Sequence, residues 1–190
     1  PWRHSRATVS IGGLGAGMSE GAEVLVQRAV AGGHLFSFEI NAAGHHRWFR
    51  SLYWKPSAYV LIVDRILVQG EATWPWSLGV NWRCAGRVLG IEDDLATLAF
   101  ADPEAAGRFH VQVAGGLRLH AETSSYPALG APAGTPATTE LMLHGLLDLP
   151  AGRPDVEVAT LLHAVAGTDG TDYRLASRDG GWTVTGTDEV

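Results

Sequence analysis

The chain has 190 residues, of which 46% are hydrophobic and 18% charged, a balance typical of a folded domain rather than a disordered chain. Its formal charge is −6, so it lacks the basic surplus with which proteins neutralise nucleic-acid phosphates. No apolar run reaches the roughly 18 residues of a membrane-spanning helix. These properties argue against a nucleic-acid partner and against a membrane-spanning protein.

Short segments of alternating apolar and polar residues fill the chain. The 24 glycines and nine prolines divide these segments, which predicts β-strands joined by turns. In chain order, the first predicted strands are 7–11, 22–32 and 34–41. The segment YVLIVDRILV at 59–68 is nearly all apolar and rich in β-branched residues, as expected of a central strand buried on both faces.

The clearest local pattern is RFHVQVAGGLRLHAET at 108–123. Apolar residues alternate with polar ones on both sides of Gly115 and Gly116, which predicts a β-hairpin with a glycine turn. His110 and His120 would then lie diagonally across the hairpin. Outward alternating positions favour surface residues there over a pair of metal ligands.

The last third continues the same pattern, with strands predicted in ELMLHGLLDLP, VEVATLLHAVAG and GGWTVTGTDEV. The second of these also fits a helical face through Val158, Leu161 and Leu162, but we favour a strand. Ten or more short strands without a long helix predict an all-β fold, an antiparallel two-sheet β-sandwich, rather than a closed barrel. We predict one such domain over residues 1–190.

Catalytic signatures are weak, and we assign no catalytic residue. The sequence has no G-x-S-x-G elbow and no P-loop, and the glycine-rich GGLGAG at 12–17 is not followed by a helix. His45 and His46 are adjacent, so on a strand they point to opposite faces and cannot easily ligate one ion together. Cys84 has no histidine nearby in sequence and fits a small buried hydrophobe.

Tryptophan is concentrated in one tract, with five of the seven between positions 48 and 82. Aromatic faces stack on sugar rings and arginine forks pair with carboxylates, so Arg47, Trp48 and Arg50 are candidate ligands of an acidic polysaccharide. The alternative is that the tryptophans form the core between two sheets.

One stretch, RSLYWKPSAYVLIVDRI at 50–66, resembles the β-sandwich region of heparinase II/III-like polysaccharide lyases. RHSRATVSIGG at 3–13 is similar to the family segment A-H-N-T-V followed by a glycine, and VEVATLLHAVAG at 156–167 is similar to a late strand of the family. The resemblance implies a larger protein in which a helical toroid precedes the sandwich, and the N-terminal toroid is missing from this chain. It also implies a secreted or periplasmic location.

The activity implied by the resemblance is cleavage of uronate-containing acidic glycans by β-elimination. A base removes the proton α to the uronate carboxylate, and neutralisation of that carboxylate lowers the cost of the carbanion. The family's histidine, tyrosine and metal-binding segments are expected mostly upstream of Pro1. We therefore expect this chain to support or bind the substrate and to be inactive alone.

A zinc ion is implied for the full-length family, but none is expected in this fragment. Aligning Thr8 and Val9 with A-H-N-T-V puts Arg6 where the family has its ligand histidine, and a guanidinium cannot ligate zinc. His4 lies two residues away on the same strand face and is the one candidate ligand. The alternative to a lyase domain is a carbohydrate-binding or structural sandwich without catalytic function.

Overall fold

A computed structural model describes residues 8–11, 14–15, 22–40, 46–68, 75–84, 86–100, 107–126, 138–152, 155–165 and 171–186. Within these ranges the chain forms β-strands and turns and no helix, so no described helix could cross a membrane. The all-β prediction is confirmed.

The described residues form fifteen strands, in chain order. They are β1 (Thr8–Ile11), β2 (Leu14–Gly15), β3 (Ala22–Val30), β4 (Gly33–Ile40), β5 (His46–Lys55), β6 (Tyr59–Val68), β7 (Trp76–Cys84), β8 (Gly86–Glu92), β9 (Leu95–Phe100), β10 (Arg108–Ala114), β11 (Arg118–Tyr126), β12 (Thr138–Leu149), β13 (Asp155–Val165), β14 (Tyr173–Arg178) and β15 (Gly181–Gly186).

The strands form two large sheets and a separate hairpin. The eight-stranded sheet has the order β3-β4-β5-β6-β13-β10-β9-β8, and the five-stranded sheet has the order β11-β12-β7-β1-β2. All pairings between their strands are antiparallel. The predicted two-sheet antiparallel sandwich is therefore confirmed.

The main core lies between the two large sheets. Ile66, Val111 and Val158 of the eight-stranded sheet pack in one cluster with Val80 and Leu143 of the five-stranded sheet. We call the face of the eight-stranded sheet that carries these residues the inner face. Strand residues alternate between faces, so the central strands contribute every second side chain to this core.

The opposite, outer face of the eight-stranded sheet is partly covered by the β14–β15 hairpin. Leu175 of the hairpin packs with Ala159 and Leu161 of β13, and aromatic residues from β6 and from the hairpin surround this contact. The Leu175 N–H also donates to Gln112 Oε1 on β10, at 2.9 Å. Strand β13 is consequently buried on both faces.

The structure confirms two of the strand predictions. Residues 59–68 form β6, which lies between β5 and β13 in the interior of the eight-stranded sheet. The segment that also fitted a helical face forms β13. Its apolar residues are needed on both faces, which explains why it lacks simple alternation.

The predicted β-hairpin at Gly115 and Gly116 is wrong. Strand β10 pairs with β9 and β13, whereas β11 pairs with β12 in the other sheet. The two glycines, both with positive φ, therefore carry the chain from one sheet to the other. A hairpin and a sheet-to-sheet crossing produce the same alternation, because in both cases the apolar side chains point towards one core.

Replacement of Gly115 by alanine should test how tightly this crossing is constrained. Gly115 has a φ of +91°, and a Cβ there would lie 2.8 Å from the Glu157 carbonyl oxygen. Gly152 has a similar φ of +81° but open space around it. We expect G152A to lower the free energy of unfolding by about 1 kcal/mol, and G115A by about 2–4 kcal/mol.

Urea denaturation of both variants gives this comparison directly, because G152A carries the backbone cost without the steric one. Equal losses in the two variants would show that the close approach to Glu157 does not constrain the crossing.

Candidate functional site

The three predicted substrate-binding residues do not share one surface. Arg47, Trp48 and Arg50 all lie on β5, but Trp48 packs in the core between the sheets, on the inner face, together with Arg50. Arg47 precedes Trp48 by one residue on the strand, so its side chain points to the opposite, outer face. The structure thus separates Arg47 from the other two.

Trp48 and Arg50 converge on the buried carboxylate of Asp64, which is 1% exposed. Asp64 Oδ1 accepts hydrogen bonds from Trp48 Nε1 at 2.6 Å and from Arg50 Nε at 2.7 Å, and Oδ2 accepts from Arg50 Nη2 at 2.9 Å. The guanidinium also lies over the Trp48 ring, 4.8 Å from its centroid. Both side chains therefore bind Asp64 inside the protein, and Trp48 is only 5% exposed.

Arg47 is the exposed member of the predicted set. Its side chain is 47% exposed, pairs with both carboxylate oxygens of Glu39 on β4, and lies over the Phe49 ring. The hydrogen bond from Arg47 holds the pKa of Glu39 below its usual value. Arg47 can reach a ligand in solvent, but an anionic ligand must compete with Glu39 for it.

The tryptophan tract divides between core and surface. Trp48 and Trp82 are buried in the cluster between the sheets, as the core alternative predicts. Trp54 is 45% exposed at the end of β5, and its ring stacks on the His34 imidazole with centroids 5.5 Å apart. This stacked pair offers a flat aromatic surface of the kind that sugar rings contact.

A second polar cluster lies on the outer face, where His110 of β10 and His163 of β13 are direct cross-strand neighbours. Asp172, immediately before β14, brings its Oδ1 to 3.1 Å from His163 Nε2 and to 3.3 Å from His110 Nδ1. Arg174 Nη2 contacts the other carboxylate oxygen at 3.0 Å. The two imidazoles and the carboxylate form a set of three groups that could hold a metal ion.

Burial and neighbouring groups shift the pKa values of His163 and Asp172. The His163 side chain has no exposed surface, and this burial lowers the pKa of His163 more than the hydrogen bond with Asp172 raises it. Burial also raises the pKa of Asp172, but its hydrogen bond with His163 and the nearby Arg174 outweigh this effect and lower the pKa overall. Both shifts favour a neutral His163 imidazole beside an ionised Asp172 carboxylate.

The sequence alone did not reveal this cluster. The alternation around the two glycines brings His110 near His120, but the two-sheet arrangement separates them: His110 belongs to the eight-stranded sheet and His120 to β11 of the five-stranded sheet. The partner of His110 is His163, and only the β10–β13 register shows it. The predicted metal candidate His4, with Arg6, lies outside the described residues.

Truncation of Asp64 should destabilise the sandwich strongly. D64A leaves the buried Arg50 charge and the Trp48 N–H without their shared acceptor, so we expect a loss of about 3–5 kcal/mol in the free energy of unfolding. Asp155 provides the matched control, because it pairs with Arg65 where both side chains are well exposed. D155A should change stability little.

Chemical denaturation measures both variants. A D64A loss no larger than that of D155A would mean that the Asp64 network does not hold β5 against β6.

Comparison with known proteins gives matches at the level of structure. No family model matches the sequence, and no curated protein matches it significantly. Among solved structures, a heparinase III gene product superposes with a TM-score of 0.73 at 13% identity, covering 95% of this chain and 28% of the other. Heparan sulfate lyase HepC from Pedobacter heparinus gives 0.74 at 12% identity, with the same coverages.

A further heparinase III structure gives a TM-score of 0.71 at 17% identity, covering 96% of this chain and 28% of the other. The chain therefore spans well under a third of the length of these structures. The resemblance found in the sequence is confirmed for the fold: the chain has the β-sandwich fold of a region of heparinase III and heparan sulfate lyase structures.

Proposed function

We propose that this chain is the C-terminal β-sandwich domain of a heparinase II/III-like polysaccharide lyase. The observation that carries the proposal is the match of 95% of the chain to 28% of a heparan sulfate lyase structure. The motifs at 50–66 and 156–167, which resemble the family in sequence, agree with it, and they lie on β5, β6 and β13.

In this proposal the sandwich supports the enzyme and contacts its substrate, while the β-elimination chemistry belongs to a helical domain outside this chain. Removal of the proton α to a uronate carboxylate needs a base at that carbon and a cation at the carboxylate. The three arginines of β5 and β6, Arg47, Arg50 and Arg65, are already paired with carboxylates. This pairing suits a supporting role.

We assign the contact with an acidic glycan to Arg47. Its exposure and its position over Phe49 combine a charge and a ring on one surface, and a guanidinium fork matches a carboxylate or sulfate. Trp48 and Arg50 act indirectly in this proposal, because their hydrogen bonds to Asp64 fix β5 and so position Arg47. The chain's net charge of −6 implies that binding is weak and sensitive to salt.

An activity assay tests the lyase proposal. The chain alone, incubated with heparan sulfate or alginate, should produce no ultraviolet absorbance from unsaturated uronate, whereas a version extended by the upstream coding sequence should produce it. Absorbance from the isolated chain would contradict the supporting role. A folded, extended version that cleaves no uronate glycan would favour the alternative of a non-catalytic module.

A binding assay tests the assignment to Arg47. R47A should weaken heparan sulfate binding by about threefold to tenfold at low salt, because one charge-assisted contact is lost. R178A is the matched control, since Arg178 is an exposed arginine on the β14–β15 hairpin with a 76% exposed side chain. Affinity electrophoresis or calorimetry compares the variants, and equal weakening by both would overturn the assignment.

A further inference from the structure

We propose that His110, His163 and Asp172 form a binding site for a divalent transition-metal ion, with zinc as its best-fitting occupant. The ion would join β10 and β13 of the eight-stranded sheet to the segment that enters the β14–β15 hairpin. The site is independent of the proposed glycan contact, which lies on β5 of the same sheet.

The spacing of the ligand atoms fits a small ion. One ligand atom from each residue lies within 4.8 Å of the other two, and the two contacts to Asp172 Oδ1 are 3.1 and 3.3 Å long. A tetrahedral zinc ion holds nitrogen and oxygen ligands at about 2.0–2.2 Å, which places neighbouring ligand atoms about 3.3–3.5 Å apart. A modest movement of the rings would bring all three atoms to this separation.

The hydrogen bonds within the cluster are poorly satisfied without an ion. His163 Nε2 faces two partners, the Tyr173 N–H at 3.4 Å and the Asp172 Oδ1 at 3.1 Å, and its tautomer decides which of them it binds. A ring nitrogen cannot accept one hydrogen bond and donate another at the same time. His110 Nδ1 is buried and makes no hydrogen bond among the described residues, despite its 3.3 Å approach to Asp172.

A cation between these atoms would give His110 Nδ1 a partner and would replace the His163–Asp172 hydrogen bond, and the Tyr173 N–H would then need an acceptor other than His163 Nε2. The ion would be coordinated by one ring nitrogen of each histidine and by Asp172 Oδ1. Arg174 holds the other carboxylate oxygen and would orient Asp172 as a ligand through a single oxygen, the usual role of an outer-shell partner.

The ligand set indicates which ions suit the site. Two imidazoles and one carboxylate are typical of zinc and of its transition-metal neighbours, whereas magnesium and calcium prefer oxygen ligands. Asp172 is 27% exposed, while the His110 side chain is 12% exposed and the His163 side chain is fully buried. The ion could enter from the Asp172 side, where water would supply a fourth ligand.

Thermal unfolding of the chelator-treated, tag-free chain tests the proposal. Zinc at about a hundredfold excess over its Kd should raise Tm by about 5–10 °C, and magnesium should not. Cobalt should give the visible absorption of a tetrahedral nitrogen- and oxygen-ligated ion. No zinc-dependent shift would overturn the proposal and leave a purely hydrogen-bonded cluster.

Matched variants locate the ion. D172N keeps the side-chain shape but loses the anionic ligand, and H110F keeps a ring against His163; each should weaken zinc binding by at least about tenfold. D179N, on the exposed hairpin turn, and H120F, at an exposed position of β11, should bind zinc as the unaltered chain does. Equal zinc binding in D172N and D179N, or in H110F and H120F, would place the ion elsewhere and overturn the proposal.

Discussion

The buried carboxylate of Asp64 is the constraint on which the eight-stranded sheet depends. Its oxygens accept one hydrogen bond from Trp48 and two from Arg50, and Asp64 itself is 1% exposed to solvent. A buried ion pair adds little net stability compared with apolar packing, but leaving either charge unpaired is very costly. The β5–β6 register pairs Arg50 directly with Asp64, and a slip of one residue would move Asp64 to the other face of the sheet. The Arg50–Asp64 pair therefore disfavours any alignment of β5 with β6 that is shifted by one residue.

The register set at Asp64 extends across the sheet. Asp64 pairs with Val158 on β13, which fixes the inner face of that strand and sends His163 to the outer face. His163 then meets His110, its register partner on β10, beneath the start of β14. The β14–β15 hairpin supplies Leu175 to the apolar contact with Ala159 and Leu161. The residue just before it, Asp172, supplies its carboxylate to the two histidines. The outer-face cluster is thus a consequence of the same strand alignment that buries Asp64.

The sequence predicted the strands and the sandwich because a period of two in side-chain direction is a local property. It did not predict which strands pair: the alternation around Gly115 and Gly116 is identical for a hairpin and for a crossing between sheets. The division of Arg47 from Trp48 follows from adjacency, the same rule that separated His45 from His46, and it could have been predicted. The pairing of His110 with His163 could not, because it depends on the register of two strands far apart in sequence.

The two faces of the eight-stranded sheet suit different tasks. The inner face is occupied over its central strands by the core and by the Asp64 network, and the exposed His34–Trp54 pair lies on the same face on β4 and β5. The outer face is covered by the hairpin over β13, while Arg47 and Glu39 lie exposed towards the β4–β5 side. With a net charge of −6 and Arg47 already paired, this surface can hold an acidic chain only loosely. In the proposed lyase, the sandwich would accordingly contribute position more than affinity for the glycan.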